Sequence, residues 1–289
     1  LLYSCNAILC YCEAESGKLS LGISELGKMS ANAPTILALD FDGVICDGLP
    51  EYFATAWQTY CKIWLSSLQT PPADLTPQFD RLRPVIETGW EMPVLIRALL
   101  LGVTEAEIWQ NWGAIAQKLL HQDSLTAAEV GKQLDTLRDE WISTDLDSWL
   151  DLHRFYPGVI DKLHFLLDSP IQPIIITTKE GRFVSQLLQR QGIQLPSQSI
   201  LGKEIKRPKY QIIRELIAIA TQTPVVLWFV EDRLKTLQLV QQQTDLEDVR
   251  IFLADWGYNT AAERELARQN SRIQLLSLAQ FAEDFSDWN

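Results

Sequence analysis

Four apolar runs, far apart in the chain, constrain the fold most: TILALDFDG at 35–43, QPIIITT at 172–178, PVVLWFVED at 224–232 and VRIFLAD at 249–255. None alternates apolar with polar residues as a half-buried strand would. Unbroken Ile, Val and Leu are what strands covered on both faces look like. The segments between the last three runs, such as GRFVSQLLQRQG and PKYQIIRELIAIA, have helical period. Strands alternating with helices predict a parallel α/β sheet, whose ligands sit outside the carboxyl ends of the strands. Each run ends in acids or threonines, so the polar punctuation falls where such a sheet binds.

About 130 residues separate the first run from the second, far more than one crossover helix needs. They read almost wholly helical, in pieces such as PEYFATAWQTYCKIWLSSL, EMPVLIRALLLG, TEAEIWQNWGAIAQKLLH and AAEVGKQLDTLRDEWI, with Pro71, Pro72 and Pro77 breaking the first from the rest. Residues 49–151 are therefore expected to form an all-helical cap domain inserted into an α/β core made of 34–48 and 152–289. FYPGV at 155–159 starts the helix that returns to the sheet. Residues 1–33 show weak periodicity and are expected to be a disordered extension, with Met29 a natural start.

Of 289 residues, 47% are hydrophobic and 21% charged, enough to bury a sizeable core. The net charge of -12 gives no basic face, which argues against nucleic acid and anionic membrane surfaces as partners. No apolar run approaches the roughly 18 residues that cross a bilayer. Five cysteines, an odd number without paired spacing, do not make a secreted disulfide framework, and a reducing cytoplasm is expected. Cys10 and Cys12 have no second pair to complete a zinc site.

The chemistry concentrates at the strand ends. Asp40 and Asp42 would point to opposite faces of a strand, but Gly43 ends it and lets the loop curl around one point. Two carboxylates sharing a point push one pKa up, and a divalent cation relieves them; Mg²⁺ suits oxygen ligands. Thr177 offers a hydroxyl and neighbouring N–H groups, a lysine near 206–209 a cation, and Asp232 a further carboxylate. Together they describe a phosphoryl pocket.

At this point DFDGVICDG resembles the first motif of the haloacid dehalogenase superfamily, D-x-D-G-x-[IL]-x-D. IIITTK, KRPKYQII and VVLWFVEDRLKTL resemble the second, third and fourth motifs in order, and FYPGVIDKLHFL and ADWGY two landmarks of its type I capped phosphatase branch. The resemblance covers 35–48 and 152 to about 260, and implies a Rossmann-like core carrying a Mg²⁺-dependent phosphatase for a small phosphorylated substrate. It implies that Asp40 is the nucleophile forming an aspartyl-phosphate and Asp42 the acid and base. Thr177 and a lysine would bind the phosphoryl oxygens, and Asp40, Asp232 and the backbone carbonyl of Asp42 the metal. Among Lys203, Lys206 and Lys209, Lys209 opens a helix, the usual position for that role, with Lys206 as the alternative. A phosphomutase of the same branch and a non-catalytic scaffold are the alternatives.

The sequence departs from the usual pattern at Thr236 and Leu237, where a second acid often follows the fourth motif; Glu231 stands beside Asp232 instead. Glu231 reads either as a group holding a metal-bound water or as an acid at a strand end. Asp47 either orients the loop into the cap or forms a turn before Gly48, and Asp255 reads either as an acid near the pocket rim or, better, as a solvated loop acid. His121, His153 and His164 share no partner and read as structural or surface residues. The ten tryptophans fall mostly at helical spacing in the cap, as core. In FDRLRPVIETGWEMP, Arg83 and Glu87 either contact the leaving group or pair within the cap.

Overall fold

The four apolar runs form the middle of a six-stranded sheet whose neighbours are all parallel. Numbered in chain order, they supply β1 (Ile36–Leu39), β4 (Gln172–Ile176), β6 (Leu227–Glu231) and β7 (Arg250–Ala254). The computed structural model describes residues 33–288 apart from 66, 67, 69, 222 and 223. The extension expected over 1–33 lies outside these residues, with Met29 and Cys5, Cys10 and Cys12, except for Ala33, which packs on the core. Two edge strands, β5 (Ile200–Leu201) and β8 (Ile273–Leu276), complete the order β5-β4-β1-β6-β7-β8. Neither edge shows as a long apolar run: β5 has only two residues, and Gln274 interrupts β8.

Alternate residues of each strand feed opposite cores, as the pleat requires. Leu37, Leu39, Ile175 and Val230 pack on one face with α7 (Val159–Leu167), α8 (Gly181–Arg190) and α12 (Leu278–Ala282). Ala38, Ile174 and Phe229 pack on the other with α9 (Lys209–Ile219), α10 (Leu234–Gln241) and α11 (Ala261–Arg268).

Between β1 and α7 lies a block of helices: α1 (Leu49–Ile63), α2 (Leu75–Leu82), α3 (Glu91–Leu100), α4 (Glu105–Gln122), α5 (Ala127–Thr144) and α6 (Leu146–Leu150). The first five pack around their own core of Phe53, Ala56, Phe79, Leu82, Leu95 and Ile108. Thr104 with Glu107, and Thr126 with Glu129, form capping boxes that satisfy the first amides of α4 and α5. Periodicity alone makes α4 continuous, but Asn111 leaves the helical region (φ -151, ψ 42) and kinks it. The chain leaves and re-enters the α/β core through a two-stranded antiparallel ribbon, β2 (Cys46–Asp47) with β3 (Arg154–Phe155). Trp112 and Trp149 are buried, whereas Trp109 is 42% exposed, and Trp228 and Trp288 belong to the α/β core.

Glu51, fully buried on α1, ties the block together. Its carboxylate accepts from Arg138 of α5 (Nε, 2.8 Å), Trp149 of α6 (Nε1, 3.1 Å) and Thr55 (Oγ1, 2.7 Å). Burial raises its pKa, but Arg138 and then Lys179 outweigh burial and hold it at about 2. Removing one partner of a buried pair leaves the other charge stranded. Glu51→Ala is therefore expected to lower stability by about 3–5 kcal/mol in urea unfolding; a loss under about 1 kcal/mol would mean that the network is not what joins α1 to α5 and α6.

Candidate active site

The register aligns Leu39 with Ile175 on one side and Val230 on the other, so the residues just beyond β1, β4 and β6 meet at one edge of the sheet. Asp40 follows β1 and donates its amide to the carbonyl of Val230 (2.9 Å). The next turn is tight: the amides of Ile45 and Cys46 donate to Phe41 O, both at 2.9 Å, and Gly43 N to Cys46 O at 2.8 Å. Gly43 sits at φ +87, and a Cβ there would lie 2.2 Å from Asp232 Oδ2, so only glycine lets the loop close over Asp232.

Asp40, Glu231 and Asp232 are all buried, with carboxylate oxygens within 4.8 Å of one another. Lys209, at the start of α9, places its ammonium 2.7 Å from Glu231 Oε2 and 2.8 Å from Asp40 Oδ1. Lys209 thus forms an ion pair with each of the two acids. Burial opposes the charge on Lys209, but Asp40 and Glu231 outweigh it and raise its pKa. The acids respond oppositely: burial first, then the neighbouring carboxylates, push both Asp40 and Glu231 up to about 7 against the pull of Lys209. Burial and Asp40 raise Asp232 as well. An all-oxygen, buried and electron-rich cluster of this kind can hold a hard divalent cation.

Asp42 points away from this cluster, with Lys179 Nζ 3.1 Å from its Oδ1. Thr177 is buried just past β4; its amide donates to Leu201 O (3.0 Å) and its Oγ1 accepts from Lys179 N (3.1 Å). Of the three candidate lysines only Lys209 enters the site. Lys206 is exposed and Lys203 faces Asp135 at 3.8 Å. Glu231 is no isolated strand-end acid: besides Lys209 it accepts from Arg233 N at 3.0 Å.

Asp47 accepts from Leu49 N (3.0 Å) in the turn and from Tyr258 Oη (2.9 Å). Asp255 is half-buried. His121 and His164 are exposed, and His153 packs on Trp149 with ring centroids 4.4 Å apart. Arg83 and Glu87 do not pair with each other: Glu87 bonds Lys235 of α10 at 2.8 Å, while the Arg83 guanidinium lies 4.5 Å from the Tyr258 ring centroid and 5.2 Å from that of Tyr52. The sequence alone assigns no role to Lys179, Tyr52 or Tyr258. Tyr258 donates its amide to Asp232 Oδ2 (2.7 Å), and its hydroxyl accepts from Gly48 N (2.8 Å), joining the acid cluster to the ribbon that leads into the helices. The only signal for it was its place in ADWGY, and for Lys179 its place in IIITTK.

The fold is shared with solved haloacid dehalogenase-like hydrolases. A haloacid dehalogenase-like family hydrolase of Streptococcus pneumoniae superposes with TM-score 0.50 at 14% identity, over 85% of this chain and 94% of that one. A predicted phosphatase of Clostridium acetobutylicum gives TM-score 0.54 at 12% identity, over 86% and 96%. No family model matches the chain. By sequence it is 25% identical to the phosphoglycolate phosphatase of Pseudomonas putida over 232 residues, 78% of this chain and 71% of the relative. The chain is thus similar in sequence to a phosphoglycolate phosphatase and in fold to haloacid dehalogenase-like hydrolases.

The crowded acids give a stability signature. In metal-free protein Asp40 and Glu231 hold protons up to about pH 7 when folded, against ordinary values of 3.8 and 4.5. Between those limits the folded state binds more protons than the unfolded, so rising pH destabilises it, and the loss is complete above about pH 7. A divalent cation held by this cluster would favour its deprotonated form. Millimolar Mg²⁺ is therefore expected to raise Tm more at pH 7.5 than at pH 5; an equal rise at both would remove these acids as its site.

Proposed function

We propose that the chain hydrolyses a small phosphorylated metabolite through an aspartyl-phosphate, with Asp40 as nucleophile, Asp42 as acid and base, and Mg²⁺ as cofactor. The observation that carries this reading is the meeting of Asp40, Glu231, Asp232 and Lys209 at adjacent strand ends, with Asp42 turned toward a cavity under the helices. Asp40 attacks phosphorus through a carboxylate oxygen, and the ester oxygen leaves with a proton from Asp42. Asp42 then takes a proton from water as that water attacks phosphorus, which frees Asp40 and inorganic phosphate. Lys209 offsets charge on Asp40 and the phosphoryl oxygens, and the Thr177 hydroxyl donates to one of them.

The buried oxygens fit the cation: Asp40, Asp232 and the backbone carbonyl of Asp42 would hold it, and Glu231 completes the acid cluster. It would supply charge neutralisation to the transferring group. Residues 49–151 act as the cap that selects the alcohol part of the substrate, since Tyr52, Arg83 and Arg138 line the cavity beside Asp42. The relative's name, phosphoglycolate phosphatase, supports a small phosphorylated metabolite as the class.

Asp40→Asn is expected to cut phosphate release from an aryl phosphate at least about a thousandfold while the protein stays folded, because it removes the nucleophile and relieves crowding. A variant within about tenfold of wild type would rule out the covalent route. Chelation is expected to stop turnover and added Mg²⁺ to restore it. Full activity in thoroughly chelated protein would take the cation out of the reaction.

A further inference from the structure

A cavity of about 470 Å³ runs from Asp42 and Lys179 into the helical block. The block is seated on the α/β core around it. At the joint before α3, Lys235 holds Glu87 at 2.8 Å and Arg233 Nη1 donates to Ile86 O at 3.1 Å. Along α5, Arg182 lies 3.3 Å from Asp139 and Lys203 3.8 Å from Asp135. The volume is thus that of a cap already in contact with the core. It falls in the range of roughly 300–1,000 Å³ that receives whole drug-sized ligands, and a two-carbon acid would leave most of it empty.

The walls say what fills the rest. Tyr52, Trp90, Met92, Leu134, Trp149 and Phe183 give them an apolar, largely aromatic character. Gly131, inside α5 where glycine is a poor helix former, contributes open space: a Cβ there would meet Trp90 Cβ at 3.7 Å, an ordinary contact, so packing does not demand glycine. The wall acids are all engaged by cations: Asp42 by Lys179, Glu87 by Lys235, Glu180 by Arg182, and Asp135 by Arg138 at 3.6 Å and Lys203. None is left to receive a cationic substrate. Arg83 is different. It has no carboxylate partner among the described residues; Nη1 donates to Ile86 O at 3.1 Å, and its buried Nε has no acceptor.

Resting on the phosphatase reading above, we infer that the substrate is the phosphate monoester of a ring-sized, largely apolar alcohol, neutral or anionic, with an acceptor oxygen for Arg83. The ester of a two-carbon acid is too small to use the pocket. Gly131 sets the size limit.

The test compares kcat/KM for benzyl phosphate, cyclohexylmethyl phosphate and phosphoglycolate, all esters of unactivated alcohols, with Mg²⁺ present. At least one ring-bodied ester is expected to exceed phosphoglycolate by about tenfold or more, and Gly131→Leu to lower that ratio at least about tenfold. Gly131→Ala, a smaller intrusion, should lower it less and serves if the larger variant does not fold. Preference for phosphoglycolate, or a ratio that survives both substitutions, would overturn the inference while the phosphatase reading stands. If no ester turns over, the phosphatase reading fails. Calorimetric binding of a ring-bodied phosphonate then decides the pocket alone: binding weakened tenfold by Gly131→Leu supports it, and equal binding overturns it.

Discussion

Three buried carboxylates around one lysine are the constraint on which the rest of the structure depends. Asp40, Glu231 and Asp232 cannot all ionise beside one another in a dry site without compensation, and Lys209 supplies only one positive charge. The surrounding elements hold this unfavourable arrangement in place. Parallel pairing of β1 with β6 fixes Asp40 beside the end of the strand that carries Glu231. Gly43 lets the following loop fold down on Asp232, and Tyr258 N satisfies that acid from above the next strand. A fold that spends so much local order on holding like charges together needs a use for them, and phosphoryl transfer, with its need for concentrated charge control, is such a use.

Much of this was legible in the sequence because the core strands are unbroken apolar runs whose polar ends are short and distinctive. Asp40, Asp42, Thr177, Lys209 and Asp232 all stand at or just beyond strand ends or at a helix start, where residue order alone gives approximate position. The edge strands were not legible, since two residues of β5 and the interrupted β8 leave no run to detect. Partnerships across the chain were not legible either. Lys179 reaches Asp42, 137 residues away, because β4 and β1 pair directly, and Tyr258 reaches Gly48, 210 away, from the loop beyond β7; neither pairing can be read from residue order. In the same way Glu87 finds Lys235 instead of Arg83, because the joint before α3 faces α10.

Lys179 stands where the two halves of the molecule meet. Its ammonium contacts Asp42 and lies 5.4 Å from the centroid of the Tyr52 ring on α1 and 5.9 Å from that of Trp149 on α6. It also contributes to holding buried Glu51 ionised, and Glu51 in turn fixes Arg138 in the cavity wall. Asp42 is therefore oriented by a side chain whose own surroundings are helical-block residues, so the seating of that block and the position of the proposed acid are mechanically linked.

This linkage separates two kinds of change. The acid cluster is built from strand ends and one helix start, and its closest partners are core residues: Lys209, Arg233 and Tyr258. The cavity wall beyond Asp42 is built mainly from α1, α3, α5 and the joint before α3, with openings left by Gly89 and Gly131. A substitution at Gly131 or Trp90 alters the space for a leaving group without touching any contact of Asp40, Glu231 or Asp232. A substitution at Glu51 or Lys179 crosses the boundary, because it moves the wall and Asp42 together. On the proposed reading, selectivity would be retuned on the helices while the charge arrangement stays fixed, and the narrow place where that independence fails is the Lys179–Asp42 pair.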